Sequence, residues 1–246
     1  MSSGSCLAEH LSHYVELTED DKARLAQFEE EERDYDRATD IYHAGEKRER
    51  LFAVKKGWLY SYVDFADGRR QIVKVHTPGD VIGYPDLVYE KATTSLRAAG
   101  ECTICPFPKR HVKDVLRGSP RLAALLLTVA LRDEVVLIDT LRAMGRMSAR
   151  ERISYFLLDM LARLRVMHGA QLRAYHLPLS QTEIGDVIGL TNVYVSKTLG
   201  RLEAAGSIRR QGGQIEILEE AELTRLADFT DRYATLDTSW FPAHQV

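Results

Sequence analysis

Apolar positions along this chain change their rhythm twice. From about Arg33 to Phe107 they come as short β-prone runs closed by turns: Ile41-Tyr42-His43 before Ala44-Gly45-Glu46, and Leu51-Phe52-Ala53-Val54 before Lys55-Lys56-Gly57. Trp58–Phe65 and Gln71–Val75 flank Ala66-Asp67-Gly68-Arg69. An Asp-Gly between two such runs signals a hairpin, because glycine takes positive φ without steric cost. Pro78-Gly79-Asp80 turns the chain again before Val81-Ile82-Gly83. Short strands with regular turns predict a small antiparallel β-roll, barrel or jelly roll. Ahead of them, Thr18-Glu19-Asp20-Asp21 reads as the start of a short helix with Thr18 as N-cap.

After Ser119-Pro120 the strand rhythm stops. No further glycine or proline occurs up to Ala143, which allows a helix of roughly 36 Å. Its apolar residues form two stripes. One is Leu122, Leu126, Val129, Val136 and Ala143, interrupted by Asp133 and Thr140; the other is Leu127, Leu131, Val135 and Ile138. A helix apolar on two faces needs two burial partners. The economical arrangement puts one face on the roll and the other on the same helix of a second chain, with the first stripe expected at the dimer seam. A single helix buried inside a monomer is the alternative. Gly145-Arg146-Met147 breaks the pattern, and Ser148-x-x-Glu151 has capping-box spacing for a second long helix burying Ile153, Phe156, Leu157, Met160, Leu161 and Leu164. The break predicts a flexible joint between two helices.

Residues 177–217 carry the chemistry. Ser180-Gln181-Thr182-Glu183 is another capping box, opening a short helix with Ile184, Val187 and Ile188 inward. Gly189 stands at a reversal, Leu190 plugs the corner, and a second helix follows with Val195, Leu199 and Leu202 inward. Its outer face shows Asn192, Tyr194, Ser196, Lys197 and Arg201. This is helix-turn-helix grammar, and Ile208–Gln211, Gly212-Gly213 and Gln214–Ile217 add a hairpin wing whose Arg209 and Arg210 suit phosphate.

Charge supports that reading once it is divided by segment. The whole chain of 246 residues is at −3, yet residues 145–217 carry 10 Lys+Arg against 6 Asp+Glu, while residues 218–246 carry 2 against 6. A basic block inside an acidic protein points to a polyanion partner.

Gly45, Gly57, Asp67-Gly68-Arg69, Pro78-Gly79-Asp80 and Gly83, followed by the long helix and by Glu183-Ile184-Gly185-x3-Gly189-Leu190-Thr191 through Ser196-Lys197-x-Leu199-x2-Leu202, resemble the Crp/Fnr family of transcription regulators over nearly the whole chain. The resemblance implies an α+β architecture: an effector-sensing β-roll over 1–118, a dimerisation helix and hinge over 119–145, a winged helix-turn-helix over 146–218, and an acidic C-terminal helix and tail over 219–246 containing a helical stretch at Ala221–Tyr233. It implies a homodimer on a two-fold operator in double-stranded DNA, with RNA polymerase as a partner where the protein activates. Ser180 and Gln181 would meet phosphates; Thr191, Asn192, Tyr194, Ser196, Lys197 and Arg201 would lie on or beside the reading surface. Lys197 replaces the usual base-reading Arg, and Val193 the usual Glu, so the common operator of the family is not expected.

Cyclic-nucleotide members of the family hold ribose and phosphate with Gly-Glu and Arg-Ser/Thr pairs. Here Gly83 is kept, no Glu follows it, and Ala92 or Thr93 stands where Arg belongs. An unpaired buried phosphate costs several kcal/mol, so cyclic AMP is not expected, and the candidate effector pocket of Gly83, Tyr84, Thr93, Thr94 and Arg97 has no identified ligand. Three cysteines (Cys6, Cys102, Cys105) are too few for a four-thiolate cluster and suit a reducing cytoplasm. A redox or metal role for Cys102/Cys105 is the alternative signal. No cofactor or metal is predicted. No His-x-His of a cupin-like enzyme, no P-loop and no dinucleotide pattern occurs, so the chain is not expected to be an enzyme. Neither a secretory signal nor an 18-residue apolar span is expected, and a cytoplasmic location is the expectation.

Overall fold

Helix α1 (Cys6–Ser12) starts where the Ser5 side chain accepts the Ala8 N–H, and α2 (Glu19–Ala26) starts at Thr18 and Asp21, each of whose side chains accepts the other's backbone N–H. The computed structural model describes residues 5–243. Contacts divide the chain into two units: residues up to Arg69, Val73–Leu131 and from Leu236 on form one, and Arg70–Ile72 with Arg132–Thr235 the other.

The roll is built on two four-stranded sheets. Strands β1 (Arg33–Tyr35), β2 (Asp40–Tyr42), β3 (Arg50–Lys56), β4 (Leu59–Asp64), β5 (Arg70–His76), β6 (Val81–Ile82), β7 (Ser95–Ala98) and β8 (Cys102–Pro108) pair in the orders β1-β8-β3-β6 and β2-β7-β4-β5. One core, with Tyr42, Phe52, Val54, Leu59, Ile82, Leu96 and Ile104, lies inside the roll. A second core joins Leu51, Ala53, Cys105 and Phe107 on the other face of the β3–β8 sheet to Leu7, Leu11, Leu25 and Phe28. Phe28 stacks on Phe107 at 4.2 Å. Because this sheet is covered on both faces, β3 and β8 read as continuous apolar runs rather than alternating ones.

Helix α3 (Lys109–Gly118) leads into α4 (Pro120–Arg146). Within the first unit, Leu122, Leu125 and Leu126 enter the second core and Val129 packs against it. Within the second unit, Ala143 is buried with Tyr155 and Ala227. The stripe expected at a dimer seam is therefore the one this chain covers itself. Leu127 (52% exposed), Leu131 (49%), Val135 (40%) and Ile138 (57%) form the open stripe instead. Periodicity found both stripes but could not say which one the chain would cover.

In the second unit, α5 (Ala149–His168) begins at the Ser148–Glu151 capping box. Then follow β9 (Ala174–His176), α6 (Gln181–Ile188), α7 (Asn192–Ala204), β10 (Ile208–Gln211), β11 (Gln214–Ile217) and α8 (Glu220–Leu226). The wing is a three-stranded sheet, β10-β11-β9, one strand more than the sequence indicated. The helix expected over Ala221–Tyr233 ends at Leu226, and Asp228 takes positive φ. Among the described residues, no helix is long and apolar enough to cross a membrane.

Candidate nucleic-acid interface

Two glycines shape the turn between α6 and α7. Gly189 adopts a left-handed conformation, φ 68° and ψ 40°, which ends α6 and suits a residue lacking Cβ. At Gly185 the constraint is contact: an added Cβ would lie 2.3 Å from the Leu190 carbonyl oxygen, and the Leu190 N–H donates to the Gly185 carbonyl at 3.0 Å. The two helices can thus approach closely. Ile184, Ile188, Val195, Leu199 and Leu202 are buried beneath them, while Val187 is half-buried.

What stays outside is the reading surface expected from the sequence. Gln181, Thr191, Asn192, Val193, Tyr194, Ser196, Lys197 and Arg201 are all exposed. Lys197 and Arg201 have no ion-pair partner among the described residues, so both cations stand open. Ser180 and Thr191 are N-caps: Ser180 Oγ accepts the Glu183 N–H at 3.2 Å and Thr191 Oγ1 the Tyr194 N–H at 3.4 Å. Losing the Ser180 cap is expected to cost about 1 kcal/mol. Urea unfolding of Ser180→Ala checks this, and an unchanged midpoint contradicts it.

The wing arginines are less available. Arg209 Nη1 donates to Glu216 at 2.7 Å, and Arg210 Nη2 to Glu203 at 2.8 Å. That guanidinium holds the Glu203 carboxyl below its ordinary pKa. Phosphate binding by either arginine must compete with a carboxylate of its own chain.

The expected effector residues lie in different surroundings. Gly83 has φ 101° and leads into a 3-10 turn over Tyr84–Leu87, while Tyr84 packs on the outer core. Thr93 is exposed and Thr94 half-buried. Arg97 lies on the face of β7 opposite to Leu96, donating to the Asp40 carboxylate at 2.6 and 2.5 Å. Strand alternation places it outside the roll. Ala92 is buried in the inner core, in the region where the resemblance asked for an arginine. A different cavity, about 160 Å³, is lined by Arg33, Tyr35, Ile41, Arg48, Arg50 and Phe52 and contains none of the expected residues.

Cys102 belongs to the inner core and Cys105 to the outer, so the two thiols on β8 cannot form one ligand pair. Burial pushes Cys6 and Cys102 up to about 11 and Cys105 to about 12, which disfavours thiolate. Among the described residues, no group of three or more His, Cys, Asp or Glu could hold a metal.

A buried polar cluster escaped the sequence reading: Asp159 and Arg163 on α5, Arg132 on α4, and Tyr233. Their guanidinium groups lie 4.8 Å (Arg132) and 5.8 Å (Arg163) from the Tyr233 ring centre. Charged residues within an apolar helix pattern give no signal of burial before the partner segment is known.

Residues 32–119 match the cyclic nucleotide-binding domain family, and residues 151–226 the Crp-like helix-turn-helix domain. The chain is 33% identical over 177 residues to the nitrogen fixation regulation protein FixK of Bradyrhizobium diazoefficiens, covering 72% of this chain and 73% of that one. It is 25% identical over 211 residues to the fumarate and nitrate reduction regulatory protein of Vibrio cholerae, 86% and 84% of the respective lengths. The solved structure of FixK2 from Bradyrhizobium japonicum superposes with a TM-score of 0.71 at 29% identity, covering 80% of this chain and 96% of that one. Two domain matches in the right order, joined by one long helix and ending in a winged helix-turn-helix, lead to one conclusion: the chain belongs to the Crp/Fnr family of transcription regulators.

Proposed function

We propose that the protein binds a two-fold operator in double-stranded DNA as a homodimer, regulating nearby promoters, with RNA polymerase as its partner where it activates. The observation that carries this reading is the outer face of α7, where Asn192, Tyr194, Ser196, Lys197 and Arg201 are exposed above an inner face of Val195, Thr198, Leu199 and Leu202. Two such helices about 34 Å apart would fit successive turns of one side of a duplex. The open stripe of α4 supports the pairing that this spacing requires. An electrophoretic shift with the gene's own upstream DNA, repeated across salt, tests it. Affinity should fall steeply as salt rises, because Lys197 and Arg201 would displace counterions from phosphates. No shift at modest ionic strength overturns the reading.

The half-site should depart from the family's common one. Val193 offers methyl groups to a thymine but no acceptor for cytosine N4, and Lys197 donates to guanine without the rigid fork of arginine. Lys197→Ala is expected to cost about 1–3 kcal/mol of operator affinity and to relax one base position. Selection from a random DNA pool checks this; an unchanged base preference refutes it.

The buried Ala92 supports a ligand other than a cyclic nucleotide, or none. Three relatives are named anaerobic regulatory proteins, but a four-thiolate iron–sulfur cluster does not fit a sequence with three cysteines, two of them on opposite faces of one strand.

A further inference from the structure

Residues 227–233 lie just beyond the stretch that matches the helix-turn-helix family. Their contacts go to the two long helices. Ala227 is fully buried with Ala143 of α4 and Tyr155 of α5, and the Phe229 ring meets Tyr155 edge-on at 5.6 Å. Arg142 donates to the Asp228 carboxylate at 2.5 Å and to the Asp228 carbonyl at 3.0 Å. Arg232 Nε donates to Asp139 at 2.8 Å, a carboxylate buried on α4. Tyr233 is buried, its ring against Arg132 of α4 and Arg163 of α5 and its hydroxyl close enough to the Asp159 carboxylate of α5 to lower that group's pKa. From Asp228 to Tyr233 the partners on α4 step back through 142, 139 and 132, so this short segment runs antiparallel to that helix while also holding α5. It grips both sides of the Met147-Ser148 joint.

We propose that residues 227–233 are a clasp that fixes this joint in one pose and so presents the recognition helix α7 to DNA without a ligand bound to the protein. The proposal rests on the DNA-binding reading. A joint this short between two long helices can occupy several poses, and contacts made in only one of them shift the population toward it. The charges are complementary in order: Arg142 with Asp228, then Asp139 with Arg232.

The full-length double variant Asp228→Ala/Arg232→Gln tests the clasp, since it removes two ion pairs that are partly exposed. Without DNA, hydrogen exchange of amides 143–152 should quicken roughly tenfold, while affinity for the upstream DNA should drop roughly five- to tenfold, the range of a modest coupling energy. Tyr233→Phe, which removes only the hydroxyl on Asp159, should act in the same direction to a smaller extent and carries the test if the double variant unfolds. Exchange at the joint indistinguishable from wild type in a folded variant overturns the clasp. If exchange quickens but the wild-type protein ignores DNA, the clasp stands and the DNA-binding reading falls.

Discussion

Arginine at both Leu131 and Ile138 is expected to leave the protein monomeric at micromolar concentration and to weaken operator binding by roughly 10²–10⁴-fold, the advantage lost when two linked half-sites become one. Leu131 and Ile138 lie seven residues apart, two turns along the face of α4 that the chain leaves open, at 49% and 57% exposure. In a two-fold pairing each contributes from both chains, so the double change removes four apolar side chains from the seam. At about 1.5–3 kcal/mol for each such side chain fully buried, and with about half of each already covered in the single chain, the loss is on the order of 3–6 kcal/mol, before the repulsion of four guanidinium groups is added. Leu126→Ala is the contrast. Its side chain is buried in the outer core of its own unit, so it should lower folding stability by about 2–5 kcal/mol and leave the association state alone. Sedimentation velocity distinguishes the two faces. A dimeric Leu131→Arg/Ile138→Arg protein would place the seam elsewhere.

The sequence exposed some features of this molecule and hid others for identifiable reasons. Turn residues mark the roll because Asp67-Gly68 and Pro78-Gly79 impose backbone geometry that few other residues accept. Capping boxes at Ser148 and Ser180 mark helix starts because the interaction is local, three residues apart. The exposed face of α7 follows from helical period alone once Val195, Leu199 and Leu202 are taken as inward. Strand β9 was hidden because only one of its three residues, Tyr175, points inward, anchored by its hydroxyl on the Leu157 carbonyl at 2.8 Å. β1 is a polar edge strand, Arg33-Asp34-Tyr35, with no apolar signal. The side on which Arg97 lies was hidden by strand parity: it is one residue from Leu96, and that single step carries it to the other face of the sheet. The clasp was invisible for a different reason. Asp228, Arg232 and Tyr233 look like an acidic tail until the residues they meet on α4 and α5, seventy or more positions earlier, are brought beside them.

Asp159→Asn is expected to stabilise the protein relative to wild type as pH rises from about 4 to about 7, by an amount on the order of 3 kcal/mol. Burial pushes the Asp159 carboxyl up to about 6, against the opposing pull of Arg163, the Tyr233 hydroxyl and Arg132, while Asp133 adds a smaller upward push. The folded state therefore binds this proton more tightly than the unfolded chain, whose carboxyl has an ordinary pKa near 4. Stability from the protonated form is fully present below about pH 4 and is lost as pH climbs to about 6, since the unfolded chain releases the proton first. Asparagine keeps the shape and an acceptor for Tyr233 but has no proton to lose. Glu220, held down by Arg165, and Glu151, held down by its capping contacts, titrate the other way, yet they do so in both proteins and cancel from the difference. Urea unfolding of the pair at several pH values reads this difference directly. A gap that stays flat with pH, or closes instead of widening, would show that Arg163 and Arg132 outweigh burial and that the cluster beneath Tyr233 is a stabilising ion network. A widening gap shows that a charged Asp159 is retained at neutral pH at a net cost to folding, which is the expected signature of a group kept for position, as an anchor for the clasp, rather than for stability.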